Sequence, residues 1–272
     1  MTINRSLLMS ALITIAASAF SPSMAACLDE RAACKVASGR YHVAWPPGVA
    51  RDKKVPAVVA LHSWGGTGAG LIQSGKMVKV LLSKGYAVIA PEGLARQSGD
   101  GNSWEVQIAS VRRNDPDFIV SVANDAAKRF NIDRSHMLLA GFSVGGSMVA
   151  YTACRHPTAF KGFAPVSGSF WQPQPTTCAG PVNYLHSHGK SDNTMPLQGR
   201  VVGKGLRQGN VLKALETFAE ATGCGAPEAG ADGGKRWTSC KGGRSIAIEF
   251  YPGGHSVPKG WAHRAIQWFE GL

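Results

Sequence analysis

The sequence predicts an α/β fold, built as a single domain around a mostly parallel central sheet with helices on both faces. Two observations lead to this prediction. Between residues 41 and 269, short apolar runs alternate with longer segments of helical periodicity, which is the pattern of parallel strands joined by helices. The chain is also 272 residues long and 44% hydrophobic, which is enough to bury a large core.

Short apolar runs predict the strands. Residues 55–62 are almost continuously apolar, as expected of a strand buried on both faces. Residues 41–45 alternate in polarity and stop at a Pro-Pro pair, and residues 86–90 stop at Pro91. Three further strands are predicted at 136–140, 182–187 and 246–251.

The intervening segments predict helices. Apolar side chains recur every fourth position in residues 117–130, and residues 145–154 are rich in small side chains. Further helices are predicted at 71–83, 211–221 and 261–269. Because such sheets carry their chemistry on loops beyond the carboxyl ends of the strands, the functional residues are expected in the loops that begin at His62, Pro91, Gly141, Ser187 and Pro252.

The first residues predict an export signal. Arg5 precedes an apolar segment at 7–20, and small residues lead up to Ala25. Residues 1–25 are therefore predicted to be a signal peptide cleaved near Ala25, and residues 26–272 the mature domain. The protein is then expected to be secreted or periplasmic.

Two alternatives exist for this segment. A membrane anchor is one, but the apolar segment is short for a bilayer and no later apolar run reaches membrane length. Lipid attachment at Cys27 is the other, and Met24 is a poor residue for the required signal. We therefore expect no membrane anchor.

The chain is basic, with 29 Lys and Arg against 17 Asp and Glu. Such a balance also occurs in nucleic-acid-binding proteins. The positive residues are scattered, however, with small clusters only at 51–54 and 112–113, and no nucleic-acid-binding motif accompanies them. We expect a generally positive surface and no nucleic-acid partner.

All six cysteines follow the predicted signal peptide. An even number in an exported chain favours disulfides, and six cysteines allow about 15 pairings. Pairing sequence neighbours gives Cys27–Cys34, Cys154–Cys178 and Cys224–Cys240. A buried thiol is the alternative for Cys154. No zinc-type cysteine spacing is present, and His186-x-His188 lacks a third ligand at a suitable spacing, so no metal is expected.

A single G-x-S-x-G segment, Gly141-Phe142-Ser143-Val144-Gly145, occurs in the chain. The motif is short enough to arise by chance as a glycine-rich turn with an uninvolved serine. Its context points to a nucleophile, because it joins a predicted buried strand to a predicted helix of small residues. A sharp strand-to-helix turn there requires glycine on both sides, so Ser143 is the predicted nucleophile.

A serine nucleophile needs a base and an acid, which follow the serine along the chain in this architecture. His255 comes after the last predicted strand, behind two glycines. Asp192 is the one carboxylate in the loop after strand 182–187, and it is predicted to hold the tautomer of His255. The alternatives are a solvent-facing loop histidine and a turn aspartate that bonds its own backbone. His263 falls within a predicted helix.

Two backbone N–H groups are expected to stabilise the oxyanion of the reaction. Val144, directly after the nucleophile, is expected to supply one. The glycine-rich loop after strand 55–62 is expected to supply the other through the backbone of Trp64, with Ser63 as the alternative.

Six segments occur in an order that resembles the secreted polyhydroxybutyrate-depolymerase-like and feruloyl-esterase-like α/β-hydrolases, over residues 41–269. They are Ala60-Leu61-His62 with Gly65-Gly66, Pro91-Glu92-Gly93, Gly101-Asn102-Ser103-Trp104, Gly141–Gly146, Ala164-Pro165-Val166-Ser167-Gly168 and Gly253-Gly254-His255. Many hydrolases share G-x-S-x-G, whereas its combination with the N-S-W and A-P-V-S-G segments is more specific. The resemblance implies an α/β-hydrolase fold and a Ser143, Asp192 and His255 triad.

The resemblance also implies esters of hydroxy acids or phenolic acids as substrates. The chain departs from the family pattern at Ser63, where Gly is common, and at Glu92, where Asp is usual. Ser63, Trp104 and Trp171 are expected to contact the substrate, and core packing is the alternative for each tryptophan.

These observations predict a serine ester hydrolase without cofactor or metal, acting on a hydroxyalkanoate polyester or oligoester. A feruloyl or acetyl-polysaccharide esterase is the alternative. A non-catalytic hydrolase-like binding protein is the alternative of another class, and the complete triad in the expected order argues against it. A peptidase is disfavoured, because no extra domain that would restrict access to peptides is evident.

Overall fold

The computed structural model describes residue 27 and residues 32–106, 112–203 and 205–272. The predicted signal peptide, residues 1–25, lies outside these residues. Within them, no helix combines the length and the apolar character needed to cross a bilayer.

The described chain forms a sheet of ten strands and two small two-stranded sheets. In chain order the strands are β1 (Cys34–Val36), β2 (Gly39–Ala44), β3 (Val55–Leu61), β4 (Ala87–Pro91), β5 (Leu94–Ala95), β6 (Asn102–Ser103), β7 (Ile132–Phe142), β8 (Gly162–Val166), β9 (Tyr184–Gly189), β10 (Val201–Val202), β11 (Leu206–Arg207), β12 (Glu228–Ala229), β13 (Lys235–Trp237) and β14 (Ile246–Tyr251). The large sheet has the order β1-β2-β4-β3-β7-β8-β9-β14-β13-β12. Its six central strands, from β4 to β14, are parallel, so their carboxyl ends meet at one edge.

Helices cover both faces of this sheet. They are α1 (Gly68–Ser74), α2 (Lys76–Ser83), α3 (Asp115–Phe130), α4 (Val144–Arg155), α5 (Val211–Ala221) and α6 (Trp261–Glu270). Buried side chains of α3, α4 and α5 form one core, and those of α1, α2 and α6 form the other. The predicted α/β architecture is confirmed.

Two elements differ from the prediction. The single helix predicted at 71–83 is two helices, because the backbone at Gly75 is extended (φ −93°, ψ 97°). A side chain there would place its Cβ 2.6 Å from the side chain of Val78, so the break requires glycine. Strand β8 was missing from the predicted strands because Gly162 and Pro165, which disfavour strands, lie within it, yet it pairs with β7 and β9.

Three disulfides stabilise the connections. They join Cys27 to Cys34, Cys154 to Cys178 and Cys224 to Cys240, as the pairing of sequence neighbours predicts. The second disulfide attaches the loop after β8 to the end of α4. No cysteine within the described residues is free.

Candidate active site

Ser143 occupies the sharp turn between β7 and α4. Its φ of 58° and ψ of −123° are unusual for a residue with a side chain, a feature that marks strained functional positions. A Cβ at Gly145 would lie 2.6 Å from the backbone oxygens of Leu61 and His62, and one at Gly141 would lie 2.6 Å from the backbone of Gly145. The two glycines therefore allow the close approach that a nucleophile elbow requires.

His255 joins the other two residues predicted as a triad through one hydrogen bond to each. Nε2 of His255 is 2.9 Å from Oγ of Ser143, and Nδ1 of His255 is 2.8 Å from Oδ2 of Asp192. A carboxylate only accepts hydrogen bonds, so Nδ1 of His255 carries the proton. Nε2 is then free to accept the proton of the Ser143 hydroxyl.

The carboxylate of Asp192 is fixed on several sides. Its Oδ1 accepts the backbone N–H groups of Thr194 and Met195 at 3.0 and 2.8 Å. Burial by itself would raise the pKa of Asp192, but hydrogen bonds from Met195, His255 and the Ser167 hydroxyl outweigh burial and hold this pKa below its ordinary value. Asp192 is therefore a preorganised anion rather than a turn residue that bonds only its own backbone.

Ser167 and Tyr251 connect the acid loop to the histidine loop. Ser167, directly after β8, has a φ of 47°, and its hydroxyl contributes to the low pKa of Asp192. The same hydroxyl oxygen lies 3.2 Å from that of Tyr251, which donates to the carbonyl of Ser256, next to His255. Neither residue was predicted from the sequence to have a role, although Ser167 lies in the A-P-V-S-G segment.

A buried histidine pair supports the acid loop. Nε2 of His188 donates to the carbonyl of Met195 at 2.8 Å, and its Nδ1 accepts from Nε2 of His186 at 3.0 Å. Burial lowers the pKa of both histidines, so both are neutral, as this hydrogen-bond pattern requires. Across the described ranges, no group of three or more side chains is arranged to hold a metal ion.

His62 supports the loop predicted to bind the oxyanion. Its Nε2 accepts the N–H of Gly93 at 2.9 Å, so its Nδ1 donates to the carbonyl of Ser63, also at 2.9 Å. The indole N–H of Trp104 donates to the His62 carbonyl, and the two rings lie 4.9 Å apart. Trp104 is only 3% exposed. This burial favours core packing beneath the loop, the alternative for Trp104, and its contact with substrate stays a prediction.

Glu92 and Asn102 hold the same loop from the side of β4 and β6. The backbone of Asn102 accepts the N–H of Gly65 at 2.9 Å and donates to the carbonyl of Gly66 at 3.1 Å. Burial would raise the pKa of Glu92, but hydrogen bonds from His42, from two backbone N–H groups of α1 and from Asn102 lower it to about 2. Glu92 is therefore a buried anion that joins three segments around the loop.

The remaining predicted site residues lie around the elbow. Val144 is the first residue of α4, where a backbone N–H has no acceptor within the helix. Trp64 is 62% exposed, and the Arg96 guanidinium lies 4.3 Å above its ring. Trp171 is half-buried in the loop after β8, and its backbone N–H donates to the Tyr151 hydroxyl at 2.9 Å. The roles of Val144 and Trp64 as oxyanion donors remain predictions.

A cavity of about 560 Å³ opens beside the elbow. Ser63 and Gly141 belong to its wall on the side of the elbow. Its larger apolar walls include Leu71, Met77, Phe142, Val257 and Trp261. The ring of Phe142 also lies 4.8 Å from that of His255, so the cavity adjoins the predicted base. Its size and lining suit the apolar part of a small organic group.

Comparison with known proteins agrees with this architecture. The model of the dienelactone hydrolase family matches residues 42–226. Feruloyl esterase B of Piromyces equi is 25% identical over 80% of this chain and 42% of its own length. A probable feruloyl esterase C of Aspergillus clavatus is 30% identical over 63% of this chain and 57% of its own length. The chain thus spans about half the length of these curated relatives.

Solved structures show the same fold. The acetyl xylan esterase from Aspergillus awamori superimposes with a TM-score of 0.63 at 18% identity, covering 86% of this chain and 94% of that one. The carboxylesterase from Mesorhizobium loti has a TM-score of 0.57 at 18% identity, covering 88% of this chain and 99% of that one.

Proposed function

Since the chain belongs to the dienelactone hydrolase family, we propose that it is a serine ester hydrolase in which Ser143 is the nucleophile, His255 the general base and Asp192 the orienting acid. The observation that carries this proposal is the continuous hydrogen-bond line from Ser143 through His255 to Asp192, at 2.9 and 2.8 Å. The three loops that bear these residues all follow parallel strands, where enzymes of this architecture carry their chemistry.

In the first half of the reaction, Oγ of Ser143 attacks the ester carbonyl carbon while its proton passes to Nε2 of His255. The carbonyl π bond opens to an oxyanion, which backbone N–H groups of Val144 and Trp64 would stabilise. When the carbonyl re-forms, the bond to the alcohol oxygen breaks, and the alcohol leaves with the proton of His255. The acyl group remains on Ser143 as an ester.

In the second half, a water molecule takes the place of the alcohol. His255 accepts a proton from this water as its oxygen attacks the acyl carbon, and the proton returns to Oγ of Ser143 as the carboxylic acid leaves. The charge of Asp192 favours the imidazolium form of His255 in both halves. The low pKa of Asp192 supports this role, because the carboxylate keeps its charge.

Polysaccharide esters of feruloyl or acetyl groups are the proposed substrate class. The names of the relatives point to these esters, which the sequence gives as the alternative to a hydroxyalkanoate polyester. The cavity of about 560 Å³ with its apolar walls has room for an aromatic acyl group. Three disulfides favour an exported protein, as the predicted signal peptide does.

A panel of esters tests the proposal directly. The mature protein and its Ser143→Ala variant are compared on methyl ferulate, p-nitrophenyl acetate, acetylated xylan and a hydroxybutyrate oligomer, with kcat/KM as the readout. We expect the parent to hydrolyse the first three, and the variant to lose several orders of magnitude in kcat. Ser143→Ala activity within tenfold of the parent would exclude Ser143 as the nucleophile. A higher kcat/KM of the parent for the hydroxybutyrate oligomer would make hydroxyalkanoate esters, rather than polysaccharide esters, the substrate class.

A further inference from the structure

The two loops that carry Asp192 and His255 are strongly basic. Residues 190–210 and 252–260 hold five Lys or Arg residues and a single acid, Asp192 itself. Four of these cations have described and exposed side chains, namely Lys190, Arg200, Arg207 and Lys259. These two loops therefore present positive charge at the surface, and Asp192 is the single acid within them.

Pairing with acids elsewhere does not neutralise these cations either. Among the described residues, none of the four forms an ion pair with a carboxylate. The side chain of Arg200 donates to the carbonyl of Thr194, which leaves its charge uncompensated. The carboxylate within these loops, Asp192, is 4% exposed and is bonded to His255.

Backbone contacts join the segments that bear these cations to their neighbours at the carboxyl ends of the strands. The N–H of Lys190 donates to the carbonyl of Tyr251 at 3.0 Å, which joins the two loops. Lys259 follows His255 by four residues. The carbonyl of Arg207 accepts the N–H of Gln172 at 2.8 Å, so the β10–β11 hairpin borders the loop after β8.

The loop after β3 adds an aromatic surface. Trp64 is the most exposed of the large apolar side chains in the described chain, at 62%. Arg96 covers one part of its ring at 4.3 Å and adds a further positive charge. An exposed indole beside a catalytic loop offers a flat apolar surface for the C–H face of a sugar ring.

From these observations we infer that the enzyme binds esters of a carboxylate-bearing polysaccharide, with uronic acid groups of the polymer against Lys190, Arg207 and Lys259 and a sugar ring on Trp64. The inference rests on the proposed function and specifies its substrate. Opposite charges across an open surface raise the encounter rate and the affinity, and salt weakens both. The ester bond itself still meets only the triad.

Binding of a matched pair of polymers tests this inference. The Ser143→Ala variant of the mature protein is titrated with acetylated glucuronoxylan and with the same polymer after its carboxylates have been capped as neutral amides. We expect the uncapped polymer to bind about tenfold more tightly at low salt, and the difference to vanish near 1 M NaCl, where the Debye length is about 3 Å. Equal dissociation constants for the two polymers would overturn the inference.

Two sets of charge variants separate this surface from the general positive charge of the protein. Lys190→Ser, Arg207→Ser and Lys259→Ser are combined in one variant, and Lys53→Ser, Lys84→Ser and Lys128→Ser, all exposed and outside the catalytic loops, in the control. We expect only the first set to abolish the preference for the uncapped polymer. Equal losses in both sets would contradict the inference.

Turnover of p-nitrophenyl acetate distinguishes a failure of the proposed esterase function from a failure of the inferred polymer binding. This small neutral ester does not need the basic surface, so we expect both triple variants, made with Ser143 intact, to keep the parent kcat/KM for it. A parent that fails to hydrolyse this ester contradicts the proposed function. A parent that hydrolyses it but binds both polymers equally contradicts only the inference.

Discussion

Asp192 and His255 face each other across two loops that lie 63 residues apart in the sequence, with 2.8 Å between Oδ2 and Nδ1. This contact fixes which nitrogen of His255 carries the proton. We expect Asp192→Asn to fold normally and to lose about 10³–10⁴ in kcat, because an amide N–H in that position favours the wrong tautomer. Steady-state kinetics on p-nitrophenyl acetate and circular dichroism measure the two effects. A folded variant with kcat near that of the parent would show that another carboxylate is the acid.

Ser167→Ala removes a hydroxyl that helps to lower the pKa of Asp192. The pKa of Asp192 should rise, because a hydrogen bond to the charged form lowers a pKa. The acid side of the kcat profile should then move to higher pH, whereas kcat at neutral pH should change little, because Asp192 keeps its charge there. Tyr251→Phe, which loses only the neighbouring hydroxyl at 3.2 Å, should have a smaller effect. An unchanged pH profile in Ser167→Ala would leave Ser167 with a packing role alone.

Glu92 should make the stability of the protein depend on acid pH. Its pKa falls from 4.5 to about 2 in the folded chain, so its contribution is present above pH 4.5 and is lost as the pH falls toward 2. We expect Glu92→Gln to cost about 1–2 kcal/mol at pH 7 after allowance for solvent screening, and less as the pH approaches 2. Urea unfolding at several pH values measures this, with the exposed Glu216→Gln as control. A constant difference between Glu92→Gln and the parent from pH 7 to pH 2 would contradict the assignment.

The residues that the sequence could predict are those whose position follows from chain order. Ser143, Asp192 and His255 each lie in a loop after a buried apolar run, and parallel strands bring such loops to one edge. Hydrophobic periodicity and glycine spacing were therefore sufficient to select them. The same reasoning located most helices and strands, since their apolar patterns are strong.

The residues that the sequence missed owe their roles to contacts across strands. Ser167 meets Asp192 only because β8 and β9 are neighbours in the sheet, and His188 reaches the carbonyl of Met195 only through the turn of the acid loop. The sequence pattern of a buried strand does not distinguish a histidine that forms a hydrogen bond to a loop from one that only packs in the core. The burial of Trp104 could not be derived from the sequence for a related reason, because only the fold shows that its ring packs against that of His62.

The Cys154–Cys178 disulfide should contribute more to stability than the Cys27–Cys34 disulfide. It closes a segment with a sequence separation of 24 residues, against 7 for the other, and a longer closed loop restricts the unfolded chain more. The chain-entropy relation gives about 3 kcal/mol for the longer loop and about 2 kcal/mol for the shorter one. The Cys154→Ala/Cys178→Ala protein should therefore unfold at lower urea than the Cys27→Ala/Cys34→Ala protein. Because the longer disulfide also anchors the loop that bears Trp171, its loss should raise KM for polymeric esters more than for p-nitrophenyl acetate. Equal midpoints for the two double variants would show that native contacts, rather than loop closure, determine the contribution of each disulfide.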